Sequence, residues 1–173
     1  FKARKIHAPI HLSGGNEEQI IDIFRDVRPQ DWVFSTWRSH YHALLKGVPP
    51  ARLYRAIMEG RSMYYQDKEH KLLTSAIVGG ILPIALGVAM GAKMRGLDEH
   101  VWVFVGDMAW ETGIFHEFQR YATGHNLPIM VVVEDNGLST NTPTLEVWGR
   151  ANDMPERRYY HYTRTVPHTG VGE

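Results

Sequence analysis

A chain of 173 residues has the length of one domain with a substantial core, so we expect a single domain over residues 1–173. Its 19 Lys and Arg balance 19 Asp and Glu, and zero net charge gives no overall field that would attract nucleic acid or an anionic membrane. The absence of Cys excludes disulfides and Cys-ligated metal sites and fits a cytoplasmic protein.

The first predicted element is a helix that begins after Asn16, because Asn16 and Gln19 have the spacing of a capping box. Apolar residues then recur at helical intervals until Pro29. The run DWVFST at 31–36 is predicted as a short strand that leads residues 37–40 into a loop.

Two further helices are predicted before the middle of the chain. Pro50 suits the first turn of a helix and Gly60 its end. The long apolar stretch Ala76–Met94 is interrupted by Pro83, so it is predicted as a buried helix from about Leu82 to Arg95 rather than as a membrane span.

The segment from 101 to 133 predicts a βαβ unit. Two apolar runs, VWVFV at 101–105 and IMVVV at 129–133, are typical of strands that are covered on both faces. Between them we expect one helix, which starts after Gly106-Asp107 and ends at Gly124. Its predicted apolar face comprises Ile114, Phe115, Phe118, Tyr121 and Ala122. With a later strand at 159–163, the fold class is α/β: an open, mostly parallel sheet with helices on both faces.

Asp107 follows the first of these strands and Asn136 follows the second, so the crossover brings a carboxylate and a carboxamide to the same edge of the sheet. Mg²⁺ prefers oxygen ligands and is bound in proteins by one or two carboxylates with phosphates and water. The pair therefore predicts a magnesium site that holds a diphosphate, assisted by the helix N-terminus after Asp107. Taken separately, Gly106-Asp107 and Asn136-Gly137 are also explained as ordinary turns.

Other patterns carry less. His40 and His42 could bind a metal from one face of a strand, but nothing in the sequence supplies a third ligand. Trp102, Trp110 and Trp148 are explained most simply as core or interface residues. A P-loop NTPase and a Rossmann dehydrogenase are excluded, because neither glycine motif is present.

The run from Gly106 to Asn136, GDMAWETGIFHEFQRYATGHNLPIMVVVEDN, resembles the fingerprint of thiamine diphosphate (ThDP) enzymes, which begins Gly-Asp-Gly and ends Asn-Asn. From about His11 to His168 the chain resembles the alpha subunits of the 2-oxo acid dehydrogenases, namely the pyruvate, branched-chain and acetoin enzymes. Three positions depart from that pattern: Met108 replaces Gly, Asp135 replaces Asn, and Leu138 replaces a common Tyr.

The resemblance implies a role for each matching residue. Asp107, Asn136 and the carbonyl of Leu138 would bind Mg²⁺. His11 and His40 would be active-site groups, and His168 would approach the substrate. The implied cofactor-binding residues are Trp37, Arg38, Ile77, Val78, Gly106, Asp107, Met108, Ala109, Asn136, Leu138 and Ser139. Among these, the guanidinium group of Arg38 suits phosphate oxygens on chemical grounds alone.

The implied function is the decarboxylation of a 2-oxo acid and transfer of its acyl or aldehyde unit, with ThDP and Mg²⁺ as cofactors. Because no second α/β domain is evident, we expect a beta-type partner subunit that carries the pyrimidine-binding domain, in an alpha2beta2 heterotetramer. Glu117 either faces that partner or is solvated. The sequence starts without Met and ends at Gly172-Glu173, so we expect a fragment of a longer subunit.

Two alternatives remain open. The first is a split transketolase-like enzyme that transfers a ketol unit, which would need extra basic residues at a sugar phosphate; the candidates are Arg61, Lys68, Lys71 and Arg164. The second is a non-catalytic scaffold subunit of the same fold, for which Met108 is the best support because it crowds a place where backbone approaches phosphate.

Overall fold

The computed structural model describes residues 5–6, 8–149 and 158–168, and the remainder of the predicted domain 1–173 lies outside the described residues. The strands, in chain order, are β1 (Trp32–Thr36), β2 (Gln66–Asp67), β3 (Leu72–Ser75), β4 (Val101–Gly106), β5 (Ile129–Asp135), β6 (Leu138–Ser139), β7 (Thr142–Pro143) and β8 (Tyr159–His161). The α-helices are α1 (Glu17–Phe24), α2 (His40–Leu45), α3 (Pro50–Met58), α4 (Ile81–Met94), α5 (Asp107–Trp110), α6 (Gly113–Gly124) and α7 (Thr144–Trp148).

In the described part of the chain, six strands form one sheet in the order β2-β3-β1-β4-β5-β8. All neighbours are parallel except β2 and β3, which are antiparallel. From β1 the chain first moves to one side, to β3, and then to the other side, to β4. This reversal leaves a crevice at the carboxyl ends of β1 and β4, where ligands of open α/β sheets bind. The predicted open, mostly parallel sheet is confirmed.

Helices cover both faces of the sheet, as predicted. One core cluster joins Val101, Val103 and Val105 of β4 to α4 and α6. The other joins Trp102 and Phe104 of the same strand to residues of α2 and α3. Alternate β4 side chains thus enter opposite cores, which explains the continuous apolar run of this strand. Trp102 and Trp110 lie in the core, whereas Trp148 is 47% exposed.

The predicted single helix after Gly106 is wrong in one respect. The chain forms α5, turns at Glu111 and Thr112, and begins again as α6, because Thr112 has extended backbone angles and caps the second helix. The predicted apolar face is also only partly correct. Phe115, Phe118 and Ala122 are buried, but Ile114 and Tyr121 are 41% and 42% exposed.

The loop predicted for residues 37–40 ends early, since His40 is the first residue of α2. The capping box predicted at Asn16 is wrong in its bonding: Asn16 is the N-cap of α1 but makes no side-chain cap hydrogen bond. Its amide donates instead to the hydroxyl of Tyr160 in β8, 3.0 Å away.

Helices α3 and α4 confirm the predicted helices to within two residues.

The long apolar helix is buried on one side only. Ala85 and Ala89 of α4 are fully buried against the sheet, while Ile84 and Met94 are 47% and 82% exposed. Among the described helices, none has both the length and the hydropathy that crossing a membrane requires.

Candidate functional site

A cleft opens at the carboxyl edge of the sheet and encloses about 740 Å³, including space open to solvent. The chain that follows each of the parallel strands contributes to its walls, as expected where a sheet changes direction. The walls include Thr36, Trp37, Arg38, Ser75, Ile77, Val78, Gly106, Asp107, Met108, Ala109, Glu134, Asn136, Leu138, Ser139, Thr140, Tyr162, Arg164 and His168. Of the predicted site residues, only His11 and His40 do not line the cleft.

Asp107 is the first residue of α5 and only 2% exposed. Its carboxylate accepts a hydrogen bond from the hydroxyl of Thr144. Burial raises the pKa of Asp107, and the charge of Asp135 adds to this effect, while the bond from Thr144 opposes it. The carboxylate is therefore desolvated without a cationic partner among the described residues, which is the environment that a metal ion would compensate.

The side chain of Asn136 is held at both ends. Its Oδ1 accepts the backbone N–H of Leu138 at 3.0 Å, and its Nδ2 donates to the hydroxyl of Tyr162 at 3.0 Å. The first contact identifies which atom of the amide is oxygen, because a backbone N–H needs an acceptor. A carbonyl oxygen has two lone pairs, so Oδ1 keeps one for a cation. Burial raises the pKa of Tyr162, which therefore keeps its proton near neutral pH.

Arg38 lies in the cleft with only neutral hydrogen-bond partners. Its guanidinium donates to the backbone carbonyls of Leu12 and His168, the latter at 3.3 Å, and no described carboxylate pairs with it. Burial lowers the pKa of Arg38, and the nearby charge of Arg164 lowers it further. A guanidinium without a counterion in a partly desolvated cleft favours the binding of an anion.

Two of the three predicted active-site histidines, His11 and His168, lie together beside Arg38. The ring centroid of His11 lies 4.6 Å from that of His168 and 5.8 Å from that of Trp37, and its Nδ1 is 2.8 Å from the carbonyl of His168. Burial lowers the pKa of His40 to about 4 and that of His168 to about 4, assisted in each case by the charges of His11 and Arg38. Both residues are therefore neutral at pH 7, His168 in the cleft wall and His40 beneath it.

Met108 is part of the cleft wall, and its Sδ accepts a hydrogen bond from the indole of Trp148 at 3.1 Å. Ile77 and Val78 form a rim that is 73% and 47% exposed. The Gly106 backbone is open, because a Cβ there would meet only the carbonyl of Glu134 at 4.0 Å.

A buried polar cluster lies beneath the cleft. The carboxylate of Glu134, 8% exposed, accepts a hydrogen bond from the hydroxyl of Tyr160 and lies 3.5 Å from Nε2 of His42. The predicted use of His40 and His42 as a metal pair on a strand face is wrong, because both belong to α2, where residues two apart point in different directions. A grouping of Asp67, Glu69 and His70 lies elsewhere, and its carboxylates are already paired with Arg52.

The residues of the site that were not predicted from the sequence include Thr144, which contacts Asp107; Tyr162, which contacts Asn136; and Glu134. The alternation of Tyr160 and Tyr162 along and just beyond β8 was a usable signal, because residues two apart share one face of a strand. Thr144 is 37 residues from its partner and had no local signal.

An open parallel sheet whose carboxyl edge gathers a buried carboxylate, a fixed carboxamide and arginines defines an α/β protein with a cleft for an anionic ligand. This chain belongs to the dehydrogenase E1 component family, whose model matches residues 1–152. The match confirms the resemblance drawn from the fingerprint.

Individual relatives agree. The chain is 33% identical over 181 residues to pyruvate dehydrogenase E1 component subunit alpha-3, chloroplastic, of Arabidopsis thaliana, covering 87% of this chain and 41% of that protein. It is 32% identical over 143 residues to the alpha subunit of acetoin:2,6-dichlorophenolindophenol oxidoreductase of Cupriavidus necator, covering 77% and 43%. The chain thus spans less than half the length of these relatives.

A solved structure described as a thiamin diphosphate-dependent enzyme from Mycobacterium smegmatis shares the fold. It superposes with a TM-score of 0.53 at 20% identity, over 79% of this chain and 23% of that one.

Proposed function

We propose that this chain is the diphosphate- and magnesium-binding part of a ThDP-dependent enzyme that decarboxylates a 2-oxo acid. The observation that carries the proposal is that Asp107 and Asn136, which follow the paired strands β4 and β5, both line the cleft at the carboxyl edge of the sheet. The name of one relative, pyruvate dehydrogenase E1 component subunit alpha-3, supports a 2-oxo acid as the class of substrate.

The residues present fit Mg²⁺ and a diphosphate. Asp107 and Asn136 offer two side-chain oxygens, and the carbonyl of Leu138 is a third candidate ligand. Three protein oxygens leave positions of an octahedral ion open for phosphate oxygens and water. Arg38 supplies a guanidinium that lacks a carboxylate partner in the described chain, and the backbone at Gly106 is open to a ligand. These contacts weigh against the scaffold alternative.

When bound, ThDP supplies the nucleophile and the electron sink for decarboxylation. This chain would contribute binding and orientation: Asp107 and Asn136 hold the metal, Arg38 binds phosphate oxygens, and Ile77 and Val78 offer an apolar rim. His168 can take part in neutral hydrogen bonds in the cleft, since its pKa of about 4 leaves its ring unprotonated at pH 7.

We propose further that a beta-type subunit covers the outer surface of α4 and α6. Helix α4 is apolar on nearly all sides, and such helices are normally buried. Ile84 lies on its exposed side. Gly87 and Gly91 face open space, because a Cβ added at either position would have no neighbour within 4 Å. Ile114 of α6 extends this exposed apolar surface. A partner that brings a pyrimidine-binding domain would bury it and complete the cleft, in the proposed alpha2beta2 heterotetramer.

The test is a calorimetric titration of ThDP into the chain copurified with its partner, with and without Mg²⁺. Saturable binding that requires Mg²⁺ and is lost in Asp107→Ala is the expected result. Asp98→Ala, which removes an exposed carboxylate that pairs only with Arg28, is the matched control and should bind normally. Absence of binding by the unaltered complex would favour a scaffold subunit.

A ketol transferase is the second candidate, and one observation favours it. Among the four basic residues considered for a sugar phosphate, Arg164 lines the cleft. A screen of 2-oxo acids against ketose phosphates as substrates of the reconstituted complex distinguishes the two reactions.

A further inference from the structure

Arg164 is the basic residue whose position the cofactor fingerprint does not explain. It follows β8 and lines the cleft together with Arg38, which follows β1. The other candidate cations differ from it: Arg61 pairs with Glu59, Lys71 pairs with Glu99 at 2.6 Å, and Lys68 does not line the cleft. Arg164 is therefore the one of the four that can reach a ligand there.

The guanidinium group of Arg164 is tethered but not neutralised. Its Nη1 donates to the carbonyl of Thr140 at 3.1 Å, and its Nη2 lies 3.5 Å from Oδ1 of Asn141. Both partners are uncharged, and no described carboxylate forms an ion pair with it. Because a guanidinium has five N–H donors, most of its hydrogen-bonding capacity remains free.

The tether fixes where these donors lie. Thr140 and Asn141 form the turn between β6 and β7, and Thr140 has a positive φ of 55°, so the turn has a specific backbone shape. The same hairpin begins at Leu138, the proposed carbonyl ligand of Mg²⁺. Arg164 thus joins the strand β8 side of the cleft to the wall that carries the metal ligands.

Two guanidinium groups share this cleft without a shared counterion. The two carboxylates in the cleft wall, Asp107 and Glu134, form no ion pair with either guanidinium in the described chain, although the charge of Glu134 acts on Arg38. The charge of Arg164 acts on Arg38 and on His168, lowering the pKa of each. The two guanidinium groups repel each other, and an anion with several oxygens that binds both of them would offset this repulsion.

We propose that Arg164 is a second anion-binding residue of the cleft, which together with Arg38 binds a phosphoryl group. The choice of probes rests on the proposed function, but the site itself does not. The phosphoryl group belongs either to the diphosphate of the cofactor or to a phosphorylated substrate, and the two sources give different results in the test below.

The test compares Arg164→Gln and Arg164→Lys with Arg61→Gln in the complex copurified with its partner. Arg61→Gln is the matched control, since it removes the same charge from a residue outside the cleft. Calorimetry measures three probes: inorganic diphosphate with Mg²⁺, ThDP with Mg²⁺, and fructose 6-phosphate at saturating ThDP. Thermal unfolding of each variant checks that the hairpin contact at Thr140 is not required for folding, and Arg164→Lys preserves the charge if the Gln variant unfolds.

If the phosphates of the cofactor are the ligand, Arg164→Gln weakens the binding of inorganic diphosphate and ThDP by about tenfold or more, and Arg164→Lys by less. If a substrate phosphate is the ligand, only the binding of fructose 6-phosphate is weakened. Affinities within twofold of the unaltered protein for all three probes would overturn the inference. Arg164-dependent binding of diphosphate without any binding of ThDP would preserve it and refute the proposed function instead.

Discussion

Two buried aspartates lie at opposite ends of the same sheet, and their surroundings differ. Asp31 precedes β1 and is fully buried, whereas Asp107 follows β4 and is 2% exposed. Asp31 accepts hydrogen bonds from the guanidinium of Arg28 at 2.9 Å, from the backbone N–H of His100 at 2.9 Å and from the indole of Trp102 at 3.2 Å. Asp107 has no cationic partner among the described residues.

The pKa values of the two carboxyls shift in opposite directions. Burial acts to raise the pKa of both groups. At Asp31 the hydrogen bonds, foremost that from Arg28, outweigh burial and hold the pKa below its ordinary value. At Asp107 burial prevails and the pKa is raised. The amino edge of the sheet is thus electrostatically complete without a ligand, while the carboxyl edge lacks positive charge beside its carboxylate, as expected of a binding site.

The largest expected effect concerns the amino edge. Asp31→Ala leaves a guanidinium, an amide and an indole without their shared acceptor, so we expect a loss of about 3 kcal/mol in the free energy of unfolding. Chemical denaturation measures this loss. Asp98→Ala removes the exposed partner of the same arginine, at 85% side-chain exposure, and should leave stability unchanged. Equal effects of the two substitutions would contradict the structural role of Asp31.

A smaller effect is expected at the carboxyl edge. Tyr162→Phe removes the acceptor that orients the amide of Asn136, so Mg²⁺ affinity at saturating ThDP should fall about tenfold, as when residues supporting a metal ligand are altered. Tyr160→Phe is the control, because this hydroxyl contacts Glu134 and Asn16 and should change metal affinity less than twofold. Calorimetric titration of Mg²⁺ into both variants measures the two affinities. Equal losses of Mg²⁺ affinity in the two variants would mean that Tyr162 acts only through general packing.

The third expected effect is a dependence of stability on pH, which is small per pH unit but accumulates over the range between two pKa values. The pKa of His40 is about 4 in the folded chain because of burial, against 6.5 for an unperturbed histidine. The unfolded chain therefore binds more protons between these values, and the free energy of unfolding falls as pH decreases from 6.5 to 4, by about 1 kcal/mol per pH unit. His40→Gln should flatten this slope, whereas His116→Gln, at an exposed position of α6, serves as the control for removing a histidine. An unchanged slope in His40→Gln would refute the assignment.

The central part of the fold was predictable because its strands are covered on both faces. Val101–Val105 and Ile129–Val133 are uninterrupted apolar runs, and the positions of Asp107 and Asn136 follow from the ends of these strands. Strands β2 and β3 were not predicted, since Gln66–Asp67 is polar and Leu72–Ser75 is short. Helix α2 has only six residues, too few for helical periodicity to be seen in the sequence.

The ligands of the predicted metal site could be named from the sequence, but the residues that hold them could not. Tyr162 lies 26 residues from Asn136, and Thr144 lies 37 residues from Asp107. Such contacts depend on how strands and hairpins are arranged in space: Thr144 has no local pattern that identifies it, and Tyr162 has only its alternation with Tyr160. The sequence named Arg164 as one of several basic candidates, but only the structure showed that it lines the cleft.

The most direct test of the metal site replaces Mg²⁺ with Mn²⁺ in the copurified complex and measures coupling to ³¹P by electron–nuclear double resonance. With ThDP present, the account predicts a bound Mn²⁺ ion coupled to phosphorus, lost in Asp107→Asn and retained in Asp98→Asn. Mn²⁺ that binds without phosphorus coupling, or coupling that persists in Asp107→Asn, would contradict the assignment of Asp107 and Asn136 as the residues that hold the metal and diphosphate.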